Sequence, residues 1–74
     1  MYRVTRKQLI RQGGNVIEFE DSCDFEWQST AEHSSLRLLV AEIQQGYQWY
    51  GPNKVILETP SFYRSVTVTI EEIK

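Results

Sequence analysis

Two runs of alternating apolar and polar residues flank Gln12-Gly13-Gly14-Asn15. A Gly-Gly pair can take the positive φ values of a two-residue hairpin turn, so the pattern predicts a β-hairpin closing there. Folding at that point makes one face read Ile10–Ile17, Gln8–Phe19, Arg6–Asp21, Val4–Cys23 and Tyr2–Phe25, which is largely apolar. The opposite face reads Arg11–Val16, Leu9–Glu18, Lys7–Glu20, Thr5–Ser22 and Arg3–Asp24, with opposite charges across from each other. A slip of one residue would mix the two faces, so the pattern selects this register. A bulge or a second turn around Asp21–Asp24 is the alternative.

The next segment changes period. Ser29-Thr30-Ala31-Glu32 fits a capping box, with Ser29 as N-cap and Glu32 reaching back. Leu36, Leu39, Val40, Ile43, Tyr47 and Tyr50 then follow at spacings of three and four, one face of a helix. Gly51-Pro52 is a stop, a left-handed cap followed by a residue that cannot continue a helix, which predicts an end near Tyr50. A shorter helix ending at Gly46 is the alternative. Leu38 and Trp49 fall off the apolar face, near Glu42 and Gln45. Either they form a small apolar patch on the helix back, or Trp49 lies past the helix end and folds over the core.

Lys54–Glu58 is a short apolar run expected as a buried or central strand, with either Val55 and Leu57 or Ile56 facing inward. After a Thr-Pro-Ser turn the chain alternates again, with Phe62, Val66, Val68 and Ile70 expected inside and Ser65, Thr67, Thr69 and Glu71 outside. The predicted architecture is α+β, in the order β-β-α-β-β: an antiparallel sheet with one helix packed on one face. At 74 residues the chain is read as one small domain with a small core.

Composition narrows the function classes. The chain is 41% hydrophobic and 24% charged, and no apolar run approaches the ~20 residues of a membrane span. The opening Met1–Ile10 has no apolar core or small-residue cleavage site of a signal peptide, and lone Cys23 has no internal disulfide partner, so a reducing cytosol is the expected compartment. The net charge of −2 argues against generic nucleic-acid binding. Its distribution is uneven. Arg3, Arg6, Lys7 and Arg11 open the chain without an acid, whereas residues 12–36 hold Glu18, Glu20, Asp21, Asp24, Glu26 and Glu32 without a Lys or Arg.

Catalysis needs convergent groups, and few are present. His33 is the only histidine and is expected in the first helical turn, in solvent. Together with Cys23 it falls short of a zinc site, which takes four ligands. The calcium-loop and phosphate-loop motifs are missing. Asp24 and Glu26 would lie on an open strand face with no cleft to shift a pKa. Cys23 reads as a packed small hydrophobe, and Arg6 with Asp21 as an ion pair on the inner face. The expectation is a non-enzyme without metal or cofactor. One candidate surface remains: Glu18, Glu20, Asp24 and Glu26 share one side of a strand, with neighbouring carboxylates ~7 Å apart, close to phosphate spacing along a nucleic acid. That stripe is either a decoy for a basic channel or a solvated face neutralised by strand one. Trp49 is the candidate aromatic anchor.

The block Trp49-Tyr50-Gly51-Pro52-Asn53-Lys54-Val55-Ile56-Leu57 follows the amphipathic helix and precedes the last alternating strand. Here the sequence resembles a small phage-encoded anti-CRISPR family of about this length, active against type I-F CRISPR systems. Members carry a Trp-x-x-Pro-Asn-x-Val-Ile-Leu block after their helix. The matching positions are Trp49, Pro52, Asn53, Val55, Ile56 and Leu57; the block is short, and the element order extends the likeness to the whole chain. The chain departs from the family in a helix that is not alanine-rich, in Gly46, and in its acidic strand. The resemblance implies a non-catalytic inhibitor in the cytoplasm of a bacterial host. Its partner would be a CRISPR surveillance complex, whose recognition of target DNA it blocks. Runner-up readings are a mobile-element interaction module of unrelated role and, third, a single-strand nucleic-acid binder with aromatics for stacking but no basic groove.

Overall fold

The computed structural model describes all residues, Met1–Lys74. The first hairpin joins β1 (Tyr2–Gln12) and β2 (Asn15–Phe25), and its turn glycines have φ of 57° and 84°, the values of a type I′ turn. The pairing runs unbroken from Gln12↔Asn15 to Tyr2↔Phe25, with Lys7 opposite Glu20 and Arg3 opposite Asp24. The predicted register is therefore the observed one, and no bulge interrupts Asp21–Asp24.

Helix α1 (Gln28–Gln44) begins one residue before the predicted cap. Trp27 is the N-cap in extended conformation and makes no side-chain cap bond, so the Ser29 capping box does not form. Glu32 instead accepts a 3.3 Å hydrogen bond from Gln28 Nε2. The helix also ends earlier than Tyr50. Gly46 has φ 102°, its N–H bonds to the Ile43 carbonyl, and the Tyr47 N–H bonds to the Glu42 carbonyl. This pair of bonds around a left-handed glycine is a Schellman motif. It terminates the helix at the first of the two candidate glycines.

Beyond that stop lie β3 (Gln48–Trp49), β4 (Lys54–Thr59) and β5 (Phe62–Glu72). Gly51, with φ 106°, lies in the β3–β4 turn, which the Tyr50 N–H closes on the Lys54 carbonyl at 2.8 Å. The strands form one antiparallel sheet in the order β2-β1-β5-β4-β3, with α1 on one face. This is the predicted α+β plan with a two-residue strand added at the edge.

The core is Val4, Ala31, Leu39, Tyr47, Val55, Val66 and Val68. On β4, Val55 is fully buried and Leu57 packs against the core, so these two face the helix and Ile56 faces away. Burying each of the three core valines of β4 and β5 contributes about 1.5–3 kcal/mol. The helix phase differs from the expected one: Ala31, Ser35, Leu39 and Glu42 are buried, whereas Leu36 and Val40 are exposed. Small side chains at 31 and 35 let the helix approach the sheet closely. Glu42 turns inward because Arg64 waits beneath it, and Leu38, expected on the helix back, joins the rim of the core.

The 17-residue helix spans ~25 Å and each 11-residue strand ~36 Å, so the helix cannot cover the whole face. Beyond it, Ile17 and Phe19 are about half exposed. Cys23 is also exposed, contrary to its expected burial, because β2 lies at the sheet edge. Ile70, expected inside, is exposed near the chain end, and Ser65, expected outside, is buried between the cross-strand neighbours Leu9 and Ile56.

Candidate functional site

Every β2 residue from Asn15 to Asp24 is exposed. Glu18, Glu20 and Asp24 lie on the face away from the helix, and Glu26 lies just past the strand end, also exposed. Their charges are unequally compensated. The Arg3 guanidinium grips Asp24 through two bonds, of 2.9 and 3.3 Å. That hydrogen bond, with the Arg3 charge behind it, holds the Asp24 carboxyl below its ordinary pKa and Arg3 above its own. Lys7 Nζ reaches Glu20 at 3.9 Å. Between these pairs Ser22 shares a 3.2 Å hydrogen bond with Thr5, which interrupts the stripe. Glu18, opposite Leu9, and Glu26 have no ion pair. On the helix side Arg6 bonds Asp21 at 3.0 Å, half open to solvent at the carboxylate.

Trp49 is not part of this surface. It sits in β3, four strand spacings or ~19 Å from β2, and its register with Val55 places it on the helix-bearing side. It borders a shallow groove of about 510 Å³ that runs round the β3 edge to the other face, where Lys54, Ile56, Glu58 and Tyr63 line it. Two aromatics there already hold cations: Lys54 Nζ lies 5.4 Å from the Tyr50 ring centre, and Arg11 lies 4.3 Å from that of Tyr63. The predicted acids and the predicted aromatic anchor therefore occupy opposite edges of the sheet.

A polar cluster that sequence reasoning missed lies under the end of the helix. Arg64 donates to Glu42 Oε2 at 2.9 Å, to the Tyr47 hydroxyl at 2.6 Å, and to Gln8 Oε1. Its guanidinium also lies 5.3 Å from the Tyr47 ring centre. Burial pulls the Arg64 pKa down, but the bonds to Tyr47 and Glu42 outweigh it and hold the group above its ordinary value. No buried side-chain nitrogen or oxygen is left unpaired. It is a docking joint between helix, β5 and β1. The sequence signal was an arginine and a glutamine at inward positions of two alternating strands.

His33 is exposed on α1, and no group of three or more His, Cys, Asp or Glu side chains is placed to hold a metal ion. No helix is long and apolar enough to cross a membrane. The chain matches no protein-family model, no curated protein and no solved structure.

Proposed function

We propose that the protein is a non-catalytic inhibitor of phage or mobile-element origin. It docks the acidic side of β2 on a basic, DNA-binding surface of a host CRISPR surveillance complex and keeps target DNA from it. The carrying observation is a strand exposed along its length, with acids on one face of which Glu18, and Glu26 beyond it, have no cation. Charge attraction of this kind speeds encounter and weakens with salt. The short block shared with the anti-CRISPR family supplies the target class; in this chain it forms the end of β3, the turn after it and most of β4. The protein would act in the cytoplasm of the bacterial host, without contacting nucleic acid itself.

The test is a charge reversal, Glu18→Lys with Glu26→Lys, beside a control pair, Ser61→Lys with Thr69→Lys, and a separate Trp49→Ala. Folding is checked by circular dichroism, and binding to purified type I-F surveillance complexes is measured at low and moderate salt. The acidic reversal should lower affinity at least about tenfold at low salt while the control pair has little effect. If Trp49→Ala or the control removes binding and the reversal does not, the β2 face is not the docking surface. If no such complex binds the unmodified protein, the target assignment falls, and a module for another basic partner is the reading left.

A further inference from the structure

β2 closes one side of the sheet, whereas the other side ends in the two-residue β3. In a type I′ hairpin the residues closing the turn, Gln12 and Asn15, exchange hydrogen bonds, and bonded pairs then alternate down the ladder. Ile17, Phe19, Asp21 and Cys23 therefore bond to β1. The N–H and C=O groups of Val16, Glu18, Glu20, Ser22 and Asp24 point away from the sheet. None of the backbone hydrogen bonds outside the helix and strand ladders involves them.

Sheet edges are commonly blunted by lysine, proline, a bulge or a covering element. β2 has no lysine, no proline and no bulge, and each of its residues from Asn15 to Asp24 is exposed. It carries acids instead, and these choose among partners. In the long face-matched antiparallel pairings of β2 with a second copy, carboxylate meets carboxylate: Glu18 faces Glu18, Glu20 or Asp24, or Glu20 faces itself or Asp24. A second copy is therefore repelled. The strand β2 does accept is displayed by β1, with Arg3, Arg6 and Lys7 across from Asp24, Asp21 and Glu20, and Ile10 across from Ile17.

We propose that β2 takes a basic extended segment of a partner protein as a sixth strand. Alternate Lys or Arg side chains of that segment face Glu18, Glu20 and Asp24, and its intervening apolar side chains cover Ile17 and Phe19. The backbone edge supplies the hydrogen bonds of strand addition, and the acids with the two half-exposed apolar residues supply the selectivity. This deepens the proposed function, resting on β2 as its docking strand, but the experiment needs no CRISPR complex. Its failure is therefore separate from failure of the target assignment.

The probe is a capped synthetic peptide with the β1 sequence, Tyr2–Gln12, and a control peptide in which every Lys and Arg is replaced by Glu. Amide hydrogen exchange of the whole chain is followed residue by residue by NMR, with and without peptide. In the free chain Val16, Glu18, Glu20, Ser22 and Asp24 should exchange fast and Ile17, Phe19, Asp21 and Cys23 slowly. The basic peptide should slow the first set at least about tenfold and leave the second set unchanged. The acidic peptide should do neither. Ser22→Pro, which removes an outward N–H, should weaken peptide binding while the circular dichroism spectrum stays that of the parent. Three results overturn the proposal: slow outward amides in the free chain, protection without alternation, or equal binding of the acidic peptide. Sedimentation showing a dimer that protects the β2 amides also overturns it, because a second copy would then be the occupant.

Discussion

Replacing Arg64 with Met keeps the length of the side chain and removes its donors. Glu42, whose side chain is 10% exposed, then loses its only cation, and the Tyr47 hydroxyl and Gln8 Oε1 lose the donor they share. Breaking a fully buried pair from one side costs about 3–5 kcal/mol. The Arg64 side chain is 19% exposed, so some of the freed charge regains water and the expected loss is about 2–3 kcal/mol. Against a total of about 4–11 kcal/mol for a chain of this length, that is a large fraction. The melting temperature should fall by about 10–20 °C. The pair itself is weakly stabilising against apolar groups of the same shape, so adding Glu42→Leu to Arg64→Met should recover most of the loss. Urea unfolding followed by circular dichroism measures the parent, Arg64→Met, Glu42→Leu and the double variant, and the double-mutant cycle gives the coupling. A single variant within about 0.5 kcal/mol of the parent would mean that the cluster is solvated. A double variant equal to the sum of the singles would mean that the two residues act independently.

Gly46→Ala should cost about 1–2 kcal/mol, read in the same urea titration, because φ 102° strains any residue with a Cβ although open space surrounds the position. Val66→Ala, at a fully buried site, should cost about 2–3 kcal/mol, and little change would show that the core collapses to fill the gap. Asp24 is held below its ordinary carboxyl value of 3.8 by Arg3, so its stabilising contribution is full above that value and disappears as pH falls through the lowered folded value. A carboxyl-carbon NMR titration should place the Asp24 midpoint below 3.8, and Arg3→Gln should move it back up; an unchanged midpoint would refute the link.

The legible parts of this fold are local. Alternation on both sides of Gly13-Gly14 settled the hairpin and its register, because the side-chain period of a strand is two and one slip reverses every face. The Gly51-Pro52 signal marks a break, but of the β3–β4 turn and not of the helix, because Gly46 has already ended the helix. Hydrophobicity alone predicts a helix phase that differs from the observed one. Leu36 and Val40 are exposed and Glu42 is buried because the Glu42–Arg64 bond joins residues 22 apart in sequence. The acids of β2 were identified as a group from spacing alone, whereas their separation from Trp49 was invisible until the strand order was known.

What the sequence determined by itself is therefore the helix and four of the five strands, read from local periodicity, together with the pairing within the first hairpin and the neutralisation of Asp24 and Glu20 by Arg3 and Lys7, which are fixed by contacts across one turn. Tertiary structure alone decided that β1 pairs with β5, which leaves β2 as the open edge and carries Trp49 to the far side. It also decided that a ~25 Å helix covers only part of a longer sheet, exposing Ile17, Phe19 and Cys23. The physical reason is that a strand's own pattern records which face is apolar, but not which strand lies beside it nor how far a helix reaches across. Those depend on where the whole chain buries the most apolar surface while pairing every inward polar group, as Arg64 does with Glu42, Tyr47 and Gln8.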